Sequence, residues 1–189
     1  MMTTDEMNTL KALLLYIIEK SDASKCDVYG IVKTDFYAQR IHLAKFGCPL
    51  FKDDICALPF GPVPSAVYDV LKLARGDQKE WSFHTNDALS QVSESIGWDD
   101  ERFSAKEQPD LDYLSMSDIE ALDEAIATVS KMSFNEILSS THGPEWTRAF
   151  NNESGKRVMD VVRIAKEAGA DEATLQYLKE YLELESALG

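Results

Sequence analysis

The sequence has 189 residues, of which 44% are hydrophobic, so it can form one globular domain with a buried core. Acidic side chains outnumber basic ones by 33 to 19, and the net charge of −14 disfavours binding of nucleic acid or an anionic membrane by the bulk surface. The longest apolar run is shorter than the roughly 20 residues of a membrane span, and the N-terminus has no basic signal-peptide segment, which predicts a cytoplasmic protein.

The first quarter of the chain predicts two helices. Thr3 and Glu6 have the spacing of a capping box, and apolar residues then recur on one helical face. Ser24 and Asp27 repeat this spacing before a long helix over about 27–46. A glycine at position 47 is well placed to end that helix in a left-handed conformation.

Residues 57–64, ALPFGPVP, predict a rigid elbow that is not helical. Proline fixes its own φ and keeps the preceding residue out of the α region, and Gly61 can adopt a positive φ. Pro64 suits the first turn of a helix over 64–75, which Gly76 would end. The elbow is therefore expected to set the direction of this helix and to carry no chemistry.

The next segment has weak periodicity. Residues 80–84 and 100–106 alternate apolar and polar side chains and predict two short strands, with a short helix over 86–97 between them. The segment 106–115 has the composition of a loop.

Capping-box spacings mark the following helices. Ser117 and Glu120 begin an amphipathic helix, and Ser133 and Glu136 begin a short one that ends at Thr141. A further short helix follows the Gly-Pro pair at 143–144.

The C-terminal tail, 151–189, starts with the linker-like sequence NNESG. Two amphipathic helices are predicted in it, near 155–168 and over about 171–187. The whole pattern predicts a mainly α (α+β) fold: a compact bundle of about six or seven helices with a small β element of two or three strands.

Motifs for catalysis or metal binding are missing from the sequence. Cys26, Cys48 and Cys56 form no CxxC pair, and the three histidines at 42, 84 and 142 form no HExxH or HxxxH pair. We therefore expect no catalytic residues, no cofactor and no metal, and a protein that is not an enzyme. A thiol hydrolase that uses Cys48 or Cys56 is the less favoured alternative, since neither cysteine has a supporting local motif.

Five segments in order resemble the Panacea domain, also called the SocA-like antitoxin domain. They are LLLYIIEK, GIVKTDFYAQRIHLAKFGCPL, ALPFGPVPSAVYDVLK, LSMSDIEALDEAI and LSSTHGPEWTRAF, and they cover about residues 8–150. The most specific block is the elbow [YF]GPV, in which this chain has Phe60 where the family often has tyrosine. The short spacing between His142 and Trp146 departs from the family pattern and puts loop-specific contacts there in doubt.

The resemblance implies a domain over 1–150, with 151–189 as a C-terminal helical hairpin that packs on it or contacts a partner. It also implies a phage-associated or bacterial antitoxin that neutralises a cognate protein toxin by direct binding, without catalysis. Some relatives are proteolytic adaptors, so delivery of the toxin to a protease is a second mode of action. A regulatory protein acting on DNA is a further alternative, and the net charge of −14 speaks against it.

The residues to test first for partner binding lie on the long helix, at the elbow and beside the Gly-Pro break. For each of them packing in the core is the competing interpretation, because aromatic and apolar groups are usually buried. They are Asp35, Phe36, Tyr37, Phe60, Gly61, Pro62, Val63, Pro64, His142 and Trp146.

Overall fold

The computed structural model describes residues 2–77, 87–155 and 157–188. The helices in these ranges are α1 (Thr4–Lys20), α2 (Val28–Phe46), α3 (Ser65–Arg75), α4 (Asp87–Glu94), α5 (Met116–Ser130), α6 (Phe134–Thr141), α7 (Pro144–Phe150), α8 (Val161–Glu167) and α9 (Glu172–Leu188). Two antiparallel hairpins accompany them, β1 (Ile55–Leu58) with β2 (Gly61–Pro64), and β3 (Ile96–Trp98) with β4 (Phe103–Ala105). The predicted mainly α fold with a small β element is confirmed.

The first two helices form the centre of the hydrophobic core. Helix α1 is buried on every side over residues 12–18, and α2 is buried over 30–39, so neither has a solvent face in these stretches. Helix α2 contacts α1, α3, α5, α8, α9 and β2. A helix that is surrounded in this way lacks a simple amphipathic stripe and gains its stability from packing.

Two predicted helix starts are shifted. Ser24 does not cap α2, because residues 23–25 form a short 3-10 helix and the Asp27 side chain accepts from the Gly30 N–H. Helix α5 begins two residues earlier than expected, since its capping box is formed by Ser115 and Asp118. The Thr3–Glu6 and Ser133–Glu136 capping boxes are confirmed.

The proline-rich elbow is a tight β-hairpin. Strand β1 pairs with β2 in the register Ile55↔Pro64 to Leu58↔Gly61, which leaves Pro59 and Phe60 as the two turn residues. The prediction that 58–63 is not helical is confirmed. Pro64 ends β2 and precedes the first residue of α3, so the helix starts one residue later than predicted.

The second hairpin confirms the strand expected within 100–106, and the other predicted strand, 80–84, lies outside the described residues. The helix predicted over 86–97 stops at Glu94 because Ile96–Trp98 pairs with Phe103–Ala105.

The tail departs most from expectation. The helix predicted from 155 starts only at Val161, because residues 157–159 run alongside β1. The Ala57 N–H donates to the Arg157 carbonyl at 2.8 Å, and the Met159 N–H donates to the Ile55 carbonyl at 2.8 Å. The division into a 1–150 domain and a separate tail stays a prediction.

Among the described helices, none combines the length and apolar character that crossing a bilayer requires.

Candidate protein interface at the β1–β2 hairpin

The turn of the β1–β2 hairpin requires glycine at position 61. Gly61 has a φ of +97°, a region that L side chains rarely adopt. A Cβ built there would lie 2.8 Å from Thr141 Oγ1 and 3.0 Å from Lys33 Nζ. Backbone conformation and close packing therefore both disfavour a side chain at this position.

A polar cluster of Lys33, Thr141 and His142 supports this turn from inside. Lys33 is 1% exposed, and its Nζ donates to the Pro62 carbonyl at 2.6 Å. Burial lowers the pKa of Lys33 to about 7. Burial, followed by the charge of Lys33, also lowers the pKa of His142, whose buried Nε2 has no hydrogen-bond partner among the described residues.

A stack of three rings fixes the hairpin from the side of α7. The rings of His142 and Trp146 are parallel within 13°, with centroids 3.7 Å apart, and Phe150 stacks on Trp146 at 4.7 Å. The Arg157 guanidinium covers Phe150 at 4.6 Å. The Trp146 indole N–H donates to the Leu58 carbonyl at 3.0 Å, which ties the stack to the end of β1.

The outer side of the turn carries an aromatic patch formed by Tyr29, Phe60 and Phe134. Phe60 is 65% exposed and Phe134 is 48% exposed, with ring centroids 6.5 Å apart. The half-buried Tyr29 ring lies 4.6 Å from the Phe134 ring. Two large exposed aromatic side chains next to each other, one on a turn held by side-chain hydrogen bonds and one at the start of a helix, are typical of a protein-binding surface.

Comparison with known protein families shows to which family the chain belongs. A family model described as antitoxin SocA-like, Panacea domain, matches residues 31–147. The chain belongs to the SocA-like antitoxin family with a Panacea domain. Comparisons with curated proteins and with solved structures gave no match.

The Panacea match begins inside α2 and ends inside α7. It therefore contains the β1–β2 hairpin, the polar cluster and two of the three aromatic-patch residues. Tyr29 lies just before it, as do helix α1 and the predicted start of the resemblance at residue 8.

Seven of the ten residues predicted for partner binding are buried within the Panacea domain. They are Asp35, Phe36, Tyr37, Gly61, Pro62, Val63 and Pro64. Asp35 is fully enclosed with no hydrogen-bond partner for either carboxyl oxygen among the described residues, and burial, followed by Asp53, raises its pKa well above the usual range. His142 and Trp146 are half-buried, which leaves Phe60 as the exposed member. Partner contact stays a prediction for all ten, and exposure favours Phe60.

Sequence reasoning missed Tyr29, Lys33 and Phe134. Phe134 lies on the same helical face as the buried residues Ile137 and Thr141, so its spacing assigns it to the core. Its exposure depends on how the first turn of α6 lies relative to the hairpin. The periodicity of one helix carries no information on the placement of that helix in the fold.

The three cysteines differ in their surroundings. Cys26 and Cys56 are buried, and Cys48 is partly exposed. Within the described ranges no group of three or more His, Cys, Asp or Glu side chains is arranged to hold a metal ion.

Proposed function

We propose that this protein is an antitoxin that neutralises a cognate protein toxin by stoichiometric binding, and that the aromatic patch of Tyr29, Phe60 and Phe134 contacts the toxin. Membership of the SocA-like antitoxin family supports the general role. The observation that carries the binding surface is the exposed pair formed by Phe60 of the β1–β2 turn and Phe134 of α6.

The patch is held rigid before any partner arrives. The Lys33 amine binds the carbonyl of Pro62 on one strand, and the Trp146 indole binds the carbonyl of Leu58 on the other. Phe60 lies between these two anchored residues, so its backbone is already ordered before binding. The entropic cost of association is therefore small.

Charge supports a basic toxin as the partner. The net charge of −14 creates a negative potential around the whole molecule. Such a potential speeds encounter with a positively charged protein, and the aromatic anchors then supply most of the binding free energy.

The direct test is co-expression with the products of the neighbouring genes, followed by gel filtration of the purified mixture. One of them should arrest growth alone, be tolerated together with this protein, and elute with it as a complex. Failure of every neighbouring product to be neutralised and to form a complex would contradict the proposal.

Truncating the patch tests the surface itself. We expect Phe60→Ala with Phe134→Ala to raise the Kd for that toxin by about 100-fold, because removal of interface anchors typically costs about 2 kcal/mol or more. The matched control is Leu111→Ala with Met116→Ala, which removes two side chains that are 49% and 88% exposed outside the patch. Equal effects of the two pairs on Kd would place the toxin elsewhere.

The same co-expression separates direct neutralisation from delivery to a protease. Under direct neutralisation the toxin remains at a normal level in a tight complex. Under delivery its half-life falls, and it recovers in a host that lacks the protease.

A further inference from the structure

A cysteine, a histidine and an aspartate meet where the C-terminal end of α2 faces α5. Cys48 Sγ lies 3.8 Å from His42 Nδ1, and His42 Nε2 lies 3.1 Å from Asp118 Oδ1. His42 is 3% exposed, whereas Cys48 is partly exposed to solvent. A partly exposed cysteine is thus connected through one buried ring to a carboxylate.

The contacts of His42 define its charge. Its Nδ1 lies 2.8 Å from the Cys48 carbonyl oxygen, which can only accept a hydrogen bond. Its Nε2 lies 3.1 Å from Asp118 Oδ1, which also accepts, and 3.3 Å from the Ser117 hydroxyl, which can donate or accept. A neutral imidazole has a single N–H and could satisfy only one of these acceptors. The imidazolium satisfies both, so the geometry fits a positively charged ring.

The balance of forces on the ring agrees with this assignment. Burial alone would lower the pKa of His42, but its hydrogen bonds to Asp118 and Cys48 outweigh burial and raise the pKa to about 9.

The other two cysteines have the opposite environment. Cys26 and Cys56 are each 5% exposed, and burial raises the pKa of both thiols, that of Cys56 to about 12. The Cys26 thiol also contacts the Ile18 carbonyl at 3.5 Å. Thiols in such surroundings are inert, and a thiol beside a cation is nucleophilic.

We propose that Cys48 is a reactive thiol, paired with the His42 imidazolium, whose substrates are small electrophiles such as hydrogen peroxide. With peroxide, the thiolate sulfur attacks one oxygen, an S–O bond forms and the O–O bond breaks. The sulfur is oxidised to a sulfenic acid and peroxide is reduced. The second oxygen leaves as hydroxide and takes a proton from His42 to become water, after which solvent protonates the ring again.

Helix α9 places a titratable group, Tyr181, near Cys48. Burial, followed by Glu185 and Cys48, raises the pKa of Tyr181, so this phenol stays neutral near pH 7. A neutral phenol adds no negative charge that would oppose the thiolate.

The test is alkylation of the intact chain by iodoacetamide, with the rate at each cysteine read by peptide mass spectrometry. At pH 7 we expect Cys48 to react at least about tenfold faster than Cys26 and Cys56, the two controls in the same molecule. We expect His42→Gln, which keeps a donor for the Cys48 carbonyl without the charge, to slow Cys48 by about tenfold. Asp118→Asn should slow it in the same direction. An unchanged rate in a folded His42→Gln protein would overturn the proposal.

A second measurement uses only the wild-type protein, so it tests the proposal even if the variants do not fold. Peroxide followed by dimedone should label Cys48 and leave Cys26 and Cys56 unlabelled. Absence of a dimedone adduct on Cys48 of the wild type would refute the assignment.

Discussion

Two glycines have the same backbone strain but different neighbours. Gly61 and Gly76 have φ values of +97° and +81°, but a Cβ at 61 would meet Thr141 and Lys33, whereas at 76 nothing lies within 4 Å. We expect Gly76→Ala to lower the free energy of unfolding by about 1 kcal/mol. Gly61→Ala should lower it by about 2 kcal/mol more, because the methyl group overpacks the turn. Urea denaturation measures both values, and equal losses would mean that the hairpin shifts to admit the added atom.

The buried amine of Lys33 makes the free energy of unfolding depend on pH, and the direction follows from its lowered pKa. Its pKa is lowered to about 7 in the folded protein from an unfolded value of 10.5, so between these values the unfolded chain binds more protons. Stability must then rise with pH, by at most about 1.4 kcal/mol per unit. The unfolding free energy of the wild type minus that of Lys33→Met should therefore increase from pH 7 to pH 10. Parallel curves for the two proteins would show that the amine is not buried in a desolvated site.

At the level of elements, α2 and α5 are joined by the ion pair of His42 and Asp118. This pair makes stability fall as the pH rises, which is opposite to the effect of Lys33. The pKa of His42 is raised from 6.5 to about 9, so its contribution is fully present below pH 6.5 and is lost as the pH rises through 9. The unfolding free energy of the wild type minus that of His42→Gln should fall over this interval. A difference that is constant from pH 6 to pH 9.5 would show that folding does not raise the pKa of this ring.

Helix caps and apolar spacing in the sequence predicted most of the helices, but few of the contacts between elements that are distant in the chain. Capping boxes, Gly47 and Gly76 mark helix ends because a cap is satisfied within a few residues of the chain. Residues 157–159 lie in a stretch with helical spacing but pair with β1, a partner about 100 residues earlier, through the Ala57 and Met159 amides. Such long-range pairing overrides local propensity and leaves no trace in a short window.

Across the whole molecule, the sequence indicated the family and the rigid elbow but did not indicate which of the predicted binding residues are exposed. The motifs that define the resemblance include Asp35, Phe36 and the GPVP segment, which build the interior. Only the packing of α6 against β2 shows that Phe60 and Phe134 meet outside. The relation between Cys48, His42 and Asp118 likewise depends on how α2 faces α5, and no spacing along the chain encodes that.

We expect the C-terminal tail to stabilise the β1–β2 hairpin, and two truncations test this. A chain that ends at residue 170 keeps the segment beside β1 and helix α8, whereas a chain that ends at 155 loses the Arg157 carbonyl that accepts from the Ala57 N–H. We expect amide exchange over 55–58 to be at least about tenfold faster in the shorter chain, because its β1 amide becomes open to water. The chain ending at 170 is the matched control, since it also lacks α9 and should keep this protection.

Hydrogen–deuterium exchange with peptide mass spectrometry measures the protection of β1 in both truncated chains. Equal protection of β1 in the two truncated chains would show that residues 1–155 hold the hairpin without the tail.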